Sequence, residues 1–137
     1  MWSLSWGCGV KPKKSSFDTP SETVQEILEQ VRIVLVTGTE ERRRFQKLLR
    51  KHHYLGGLRA VGEQMYYAAV DAQGHWLALL LFSAAAKHLK HRDQWIGWTR
   101  PQRDRRLSLV VNNSRFLILP QAHIPNLGSR VLRLTLD

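Results

Sequence analysis

Apolar residues change their spacing along the chain, and that spacing predicts most of the fold. Thr19-Pro20-Ser21-Glu22 reads as a helix start, with Thr19 as cap, Pro20 at the first helical position and Glu22 closing a capping box. Val24, Ile27, Leu28 and Val31 then recur at helical spacing and form one apolar face. Ile33-Val34-Leu35-Val36 is a branched apolar run ended by Thr37-Gly38, which predicts a buried strand. Thr39 is expected to cap a second helix, with Glu40 and Glu41 at its positive end and Lys47, Arg50 and Lys51 near its negative end. Phe45, Leu48 and Leu49 are its core face. The helix stops near His52–Gly57, where two glycines permit a turn.

Met65–Val70 reads as a strand, Asp71–Gly74 as a hairpin loop and Trp76–Phe82 as the partner strand. The partner is apolar throughout, so it is expected to be buried on both faces. Ala84–Leu89 reads as a short helix. Leu107–Val111 and Phe116–Leu119 read as two strands separated by the polar tetrad Asn112-Asn113-Ser114-Arg115. Pro120–Pro125 is a loop, and Arg130–Leu136 begins like a helix. The predicted class is α+β: a mixed, mainly antiparallel central sheet flanked by helices. Residues 1–18 are expected to be a disordered lead-in, and residues 19–137 one domain. The abrupt end at Asp137 predicts that this domain is incomplete at its C-terminus.

Composition narrows the class further. The chain has 137 residues, 43% hydrophobic and 23% charged, the balance of a globular protein and not of a disordered or collagen-like one. Cys8 is the single cysteine, which excludes a disulfide framework or a cysteine-built zinc site. The longest apolar run, around Ala78–Ala86, contains Ser83 and is far short of the roughly 20 residues that span a bilayer. Met1–Val10 is a poor signal peptide, because Lys11, Lys13 and Lys14 follow its apolar part. A cytoplasmic protein with no membrane partner is expected. Lys and Arg total 21 against 11 Asp and Glu, a net +10, and such a field attracts polyanions.

The unusual residues concentrate between His52 and Ser129. His53 and Tyr54 end a basic helix in a glycine turn and offer a base and a hydrogen-bond donor; the plainer reading is that His53 satisfies helix-end carbonyls. Glu63, just before a strand, reads as a general base, an arginine partner or a solvated carboxylate. His91–Trp98 is the densest constellation. Arg92 suits a phosphate and Asp93 would orient it, while Trp95 and Trp98 would share a face on a helical turn. His88 and His91 have a two-ligand spacing without a third ligand, so no metal is assigned. Lys87, Lys90, Arg92, Arg100, Arg103, Arg105 and Arg106 stand against only Asp93 and Asp104, a net +5 between residues 87 and 106. This is the expected polyanion-facing patch. The polar tetrad would bulge a strand and aim Asn113 or Arg115 into a cleft. Asn126 and Ser129 open the last helix, where free N–H groups can hold phosphate. P-loop, kinase and α/β-hydrolase motifs are absent, as are zinc-finger and RNA-binding signatures. No cofactor is indicated.

Several of these words occur in a family order. His53-Tyr54-Leu55-Gly56, Val61-Gly62-Glu63, Tyr67, Leu81–Ala85, Arg92–Trp98, Asn112–Pro120 and Pro125–Ser129 follow one another over roughly Glu40 to Leu134. This sequence resembles the DruA proteins of the Druantia anti-phage defence system, whose relatives also accompany transposable elements. The resemblance implies a bacterial defence or mobile-element component with partner proteins of that system. Relatives carry a further N-terminal helical region and continue past the Asn126–Ser129 helix, so the chain looks like a truncated member. The element order also resembles acyltransferases of the GNAT class, with Pro125–Arg130 at the position of their pyrophosphate loop, but without the usual Gly and Arg/Gln run. Three functions compete. The first is a nucleic-acid-binding component using residues 87–106. The second is a group-transfer enzyme whose His53, Tyr54, Glu63, Arg92, Asp93, Asn113, Arg115, Asn126 and Ser129 converge on one cleft. The third is an inactive remnant.

Overall fold

A computed structural model describes residues 22–57 and 62–137. The predicted lead-in, the Thr19 cap and Cys8 lie outside the described residues. The element order is α1 (Glu22–Gln30), β1 (Arg32–Leu35), α2 (Thr39–His52), β2 (Gln64–Val70), β3 (Trp76–Ala84), α3 (Lys90–Ile96), α4 (Arg100–Arg106), β4 (Val111–Ile118) and α5 (Leu127–Leu136). A short 3-10 turn, Leu107–Leu109, joins α4 to β4. The fold is α+β. The four strands lie in the order β1-β2-β3-β4, and every neighbouring pair is antiparallel.

The apolar runs explain the layering. β3 is central, so its side chains leave the sheet on both faces and all but Ala84 are buried. On one face Ala78, Leu80 and Phe82 meet Leu28 and Val31 from the α1 end and Leu127 and Val131 from α5. On the other face Leu79 and Leu81 meet Phe45 and Leu49 of α2. Phe45 packs edge-on against Tyr66 at 5.1 Å and against Trp76 at 6.4 Å between ring centroids. The hairpin between β2 and β3 is closed by Asp71, whose Oδ1 accepts from the backbone N–H groups of Gln73 (2.9 Å) and His75 (2.8 Å).

Five sequence expectations need correction. β1 is an edge strand with Val34 and Leu35 exposed, not a buried one, and only Val36 beyond it is buried. Gly38, not Thr39, is the N-cap of α2, and Thr39 is its first helical residue. Ala84–Leu89 is not a helix. Ala84 N–H donates to Glu63 O at 2.9 Å and extends β3, and α3 begins only at Lys90. Leu107–Leu109 is a 3-10 turn instead of a strand. The two expected strands are one strand, because a bulge at Ser114 absorbs the irregular step: Leu81 faces Arg115 while Phe82 faces Asn113. The last helix opens at Leu127 with Asn126 as its N-cap, within the expected Asn126–Ser129 start.

Candidate nucleic-acid interface

The segment 87–106 is built from short helices that contribute no residue to either hydrophobic core cluster. Local polar chemistry holds it together. Gly97 takes φ +74, a left-handed conformation that a side chain would strain, and its N–H returns to Asp93 O at 3.0 Å to end α3. Thr99 and Gln102 form a reciprocal capping box that starts α4, helped by Pro101 in its first turn. Asp93 ties the two helices. Its Oδ1 accepts from Arg92 Nε (2.9 Å) and Nη2 (2.7 Å), and its Oδ2 lies 3.6 Å from Arg103 Nη1. Arg92 Nη1 donates onward to Ala86 O at 2.8 Å. The Arg92 and Asp93 side chains are only 12% and 15% exposed, so the pair is mostly shielded from solvent. Arg103 also donates to Asp104 at 2.9 Å. That bond raises the Arg103 pKa against a smaller opposing desolvation, and holds the Asp104 carboxyl below its usual range.

Both acids of the segment are therefore occupied, by Arg92 and Arg103. Lys87, Lys90, Arg100, Arg105 and Arg106 remain exposed. Trp95 stands among them with 91% of its surface in solvent. The shared face expected for Trp95 and Trp98 is not formed, because α3 ends at Ile96 and Trp98 falls beyond the glycine stop. His88 precedes α3 and His91 lies within it; no group of three metal-binding side chains occurs among the described residues.

A second constellation lies at the end of α2. His53 is its C-cap, with its N–H donating to Leu49 O at 2.9 Å. The Nδ1 atom of His53 accepts from Leu55 N–H at 3.1 Å, which leaves the proton of the neutral ring on Nε2. Burial and then the Arg115 guanidinium depress the His53 pKa. In this tautomer Nε2 is a hydrogen-bond donor. Tyr54 stacks on His53 at 4.8 Å and is 89% exposed. Arg115 reaches from the bulged part of β4 and donates through Nε to Gly56 O at 3.3 Å.

The remaining candidates lie elsewhere. Glu63 is exposed and lines a cavity of about 310 Å³ with Met65, Phe82, Ser83 and Val111. Asn113 is exposed on β4, opposite Phe82. Asn126 takes φ +63 as the N-cap of α5, and with Ser129 it lines a groove of about 400 Å³ beside Gln25 and Glu29 of α1. Of the nine residues expected in one cleft, interactions link His53 with Tyr54 and Arg115, and Arg92 with Asp93, while Asn126 and Ser129 share a groove. Sequence reading missed Lys47, Arg50 and Lys51 as surface chemistry because it assigned them to the helix dipole. The signal was available: no acidic residue occurs between Glu41 and Glu63.

These features define a basic α+β protein whose cations are sorted into structural ion pairs and free surface charges. Among the described residues no helix is long and apolar enough to cross a membrane. The chain belongs to the DruA family: the family model described as Druantia protein DruA matches residues 8–137, nearly the whole chain. Membership makes it a component of anti-phage defence. The match is wider than the Glu40–Leu134 stretch that carries the sequence resemblance, and it includes part of the expected lead-in. No curated protein and no solved structure matches the chain significantly.

Proposed function

We propose that this DruA protein works in the cytoplasm by binding nucleic acid through residues 87–106, alongside other proteins of its defence system or of a mobile element. One observation carries the reading. Asp93 and Asp104 are already bonded to Arg92 and Arg103, so Lys87, Lys90, Arg100, Arg105 and Arg106 face solvent and form no ion pair among the described residues; Lys87 and Arg100 act on Asp104 only at longer range, and the same segment carries an exposed indole. Cations in this state exchange counter-ions with a phosphate backbone, and an exposed aromatic ring offers a base a stacking partner.

The test is fluorescence anisotropy with duplex and single-stranded oligonucleotides across a salt series. Five phosphate contacts imply a log–log salt slope near −4.5 on duplex, or a loss of roughly 500-fold between about 50 and 200 mM salt. The combined change Lys90→Ala, Arg105→Ala and Arg106→Ala should remove about 2.7 of that slope. Arg103 is a poor choice for this test, because its guanidinium is committed to Asp93 and Asp104. No binding at low salt, or an unchanged slope in the triple variant, refutes the proposal.

A GNAT-like acyltransferase is the second reading. It is favoured by the antiparallel order of the four strands and by α5 opening directly after β4 at the left-handed Asn126. Helix starts of this kind accept pyrophosphate. Against it, the Arg130 guanidinium is spent on Leu28 O at 3.0 Å, and Glu29 borders the same groove. Calorimetry with acetyl-coenzyme A separates the readings: saturable heat supports the transferase, and its absence leaves the nucleic-acid reading alone.

A further inference from the structure

The six lysines and arginines of α2 are not equivalent. Arg42 donates to Val36 O at 3.3 Å and lies over the Tyr66 ring. Arg44 lies 4.5 Å over the Trp76 ring, and Arg43 pairs with Glu40 at 2.6 Å. Lys47, Arg50 and Lys51 are exposed, one to four residues apart on the last turns, and no acidic side chain among the described residues pairs with them. Their stripe runs to the turn that carries Tyr54. That turn is braced from three sides. His53 stacks beneath the tyrosine ring, Leu55 N–H fixes the imidazole, and Arg115 holds Gly56 O from a strand 59 residues away. An 89% exposed aromatic ring gains nothing from the core, yet this one is held in place on the turn that ends the helix of these three cations.

We propose that the C-terminal end of α2 binds a single-stranded nucleic acid, with phosphates on Lys47, Arg50 and Lys51 and a base stacked on Tyr54. The inference rests on the nucleic-acid reading above, but it assigns a different element and a single strand. Charge complementarity selects a polyanion. The flat exposed ring selects one with free π-faces, which a duplex conceals. An acidic peptide would use the cations and leave the tyrosine idle.

The experiment is anisotropy with a labelled oligothymidylate of ~12 nucleotides and a duplex of equal length, within the usual site size of such proteins. Tyr54→Ala should weaken the single strand roughly tenfold, while Tyr54→Phe keeps the affinity because the ring, not the hydroxyl, stacks. Lys47→Ala with Arg50→Ala and Lys51→Ala should reduce the salt slope on oligothymidylate by about 2. Duplex binding should not respond to Tyr54→Ala. All of these positions are exposed, and an unchanged urea midpoint verifies the fold. An unaltered affinity in Tyr54→Ala, or an unaltered slope in the triple variant, overturns the inference. If only the residue 87–106 variants lose binding, the broader nucleic-acid reading stands and this one falls. If the wild-type protein binds neither probe, both fall.

Discussion

Replacing Asp93 by Asn should open residues 90–106 without unfolding the sheet. Asp93 accepts two charge-assisted bonds from Arg92 and faces Arg103 at 3.6 Å. Asparagine keeps the shape but removes the charge, leaving two guanidinium groups close together. A hydrogen bond to a charged group contributes about 1.5–3 kcal/mol, and the Arg92–Asp93 pair is mostly shielded from solvent, so we take about 2–3 kcal/mol for the loss. α3 and α4 contribute no residue to the hydrophobic core, so this loss falls on a local unit and not on the core. At about 1.36 kcal/mol per decade, amides between residues 90 and 106 should exchange roughly 30- to 150-fold faster. Amides of β3, flanked by strands on both sides, should keep their protection. Native-state hydrogen exchange resolved by residue reads this directly. Uniform acceleration across the molecule, or none in α3 and α4, would refute the view that Asp93 is the local tie.

Two further perturbations probe the sheet's α2 face and the turn beyond it. Phe45 is fully buried between two aromatic rings, so Phe45→Ala should cost about 3–5 kcal/mol. Phe45→Leu should cost about 1–3 kcal/mol, because it keeps most of the volume but loses both edge contacts. Urea unfolding followed by tryptophan fluorescence checks both, with an unchanged m-value expected. The depressed pKa of His53 means that, between its folded value and the ordinary 6.5, the unfolded chain binds more protons. This histidine's contribution to stability is therefore complete above pH 6.5 and declines as pH falls through the folded pKa. In an NMR titration, Arg115→Gln should raise the His53 pKa but leave it below 6.5, since burial is the larger cause. A pKa that stays put or falls would deny Arg115 any part in the shift, and one that returns to the ordinary value would contradict that order.

What the sequence revealed depended on whether the deciding contact was local. The continuous apolar run of β3 marked burial on both faces, because only a central strand under two helical layers needs it. The charge pattern of α2 and the helical face of α1 were equally local. The polar tetrad 112–115 bulges the strand as expected but does not break it in two, since its place in the sheet depends on a partner 31 residues away: Ser83 bonds the Ser114 hydroxyl. The helix expected at Ala84–Leu89 failed for a similar reason, because Glu63 draws Ala84 into β-pairing. At the candidate site, adjacency disclosed the Arg92–Asp93 pair. It did not disclose that Arg103 would turn inward while Arg105 and Arg106 stayed free, a distinction set by how α4 folds back toward Asp93.

The two cationic surfaces differ in what holds them, and that difference lets a ligand report where it sits. α2 is pinned by Phe45 and Leu49, so a strand bound at Lys47, Arg50 and Lys51 meets a surface that is already formed. The 87–106 surface depends on polar ties and can open on its own. A ligand that binds only its closed form stabilises that form by about 2.7 kcal/mol at a hundredfold excess over Kd. This is the same size as the loss expected in Asp93→Asn. Duplex DNA at that excess should therefore restore exchange protection between residues 90 and 106 in the variant. A short single strand held on α2 should leave the same amides fast. Restoration by both ligands would mean that one continuous surface binds both. Restoration by neither would mean that residues 87–106 do not carry the nucleic acid.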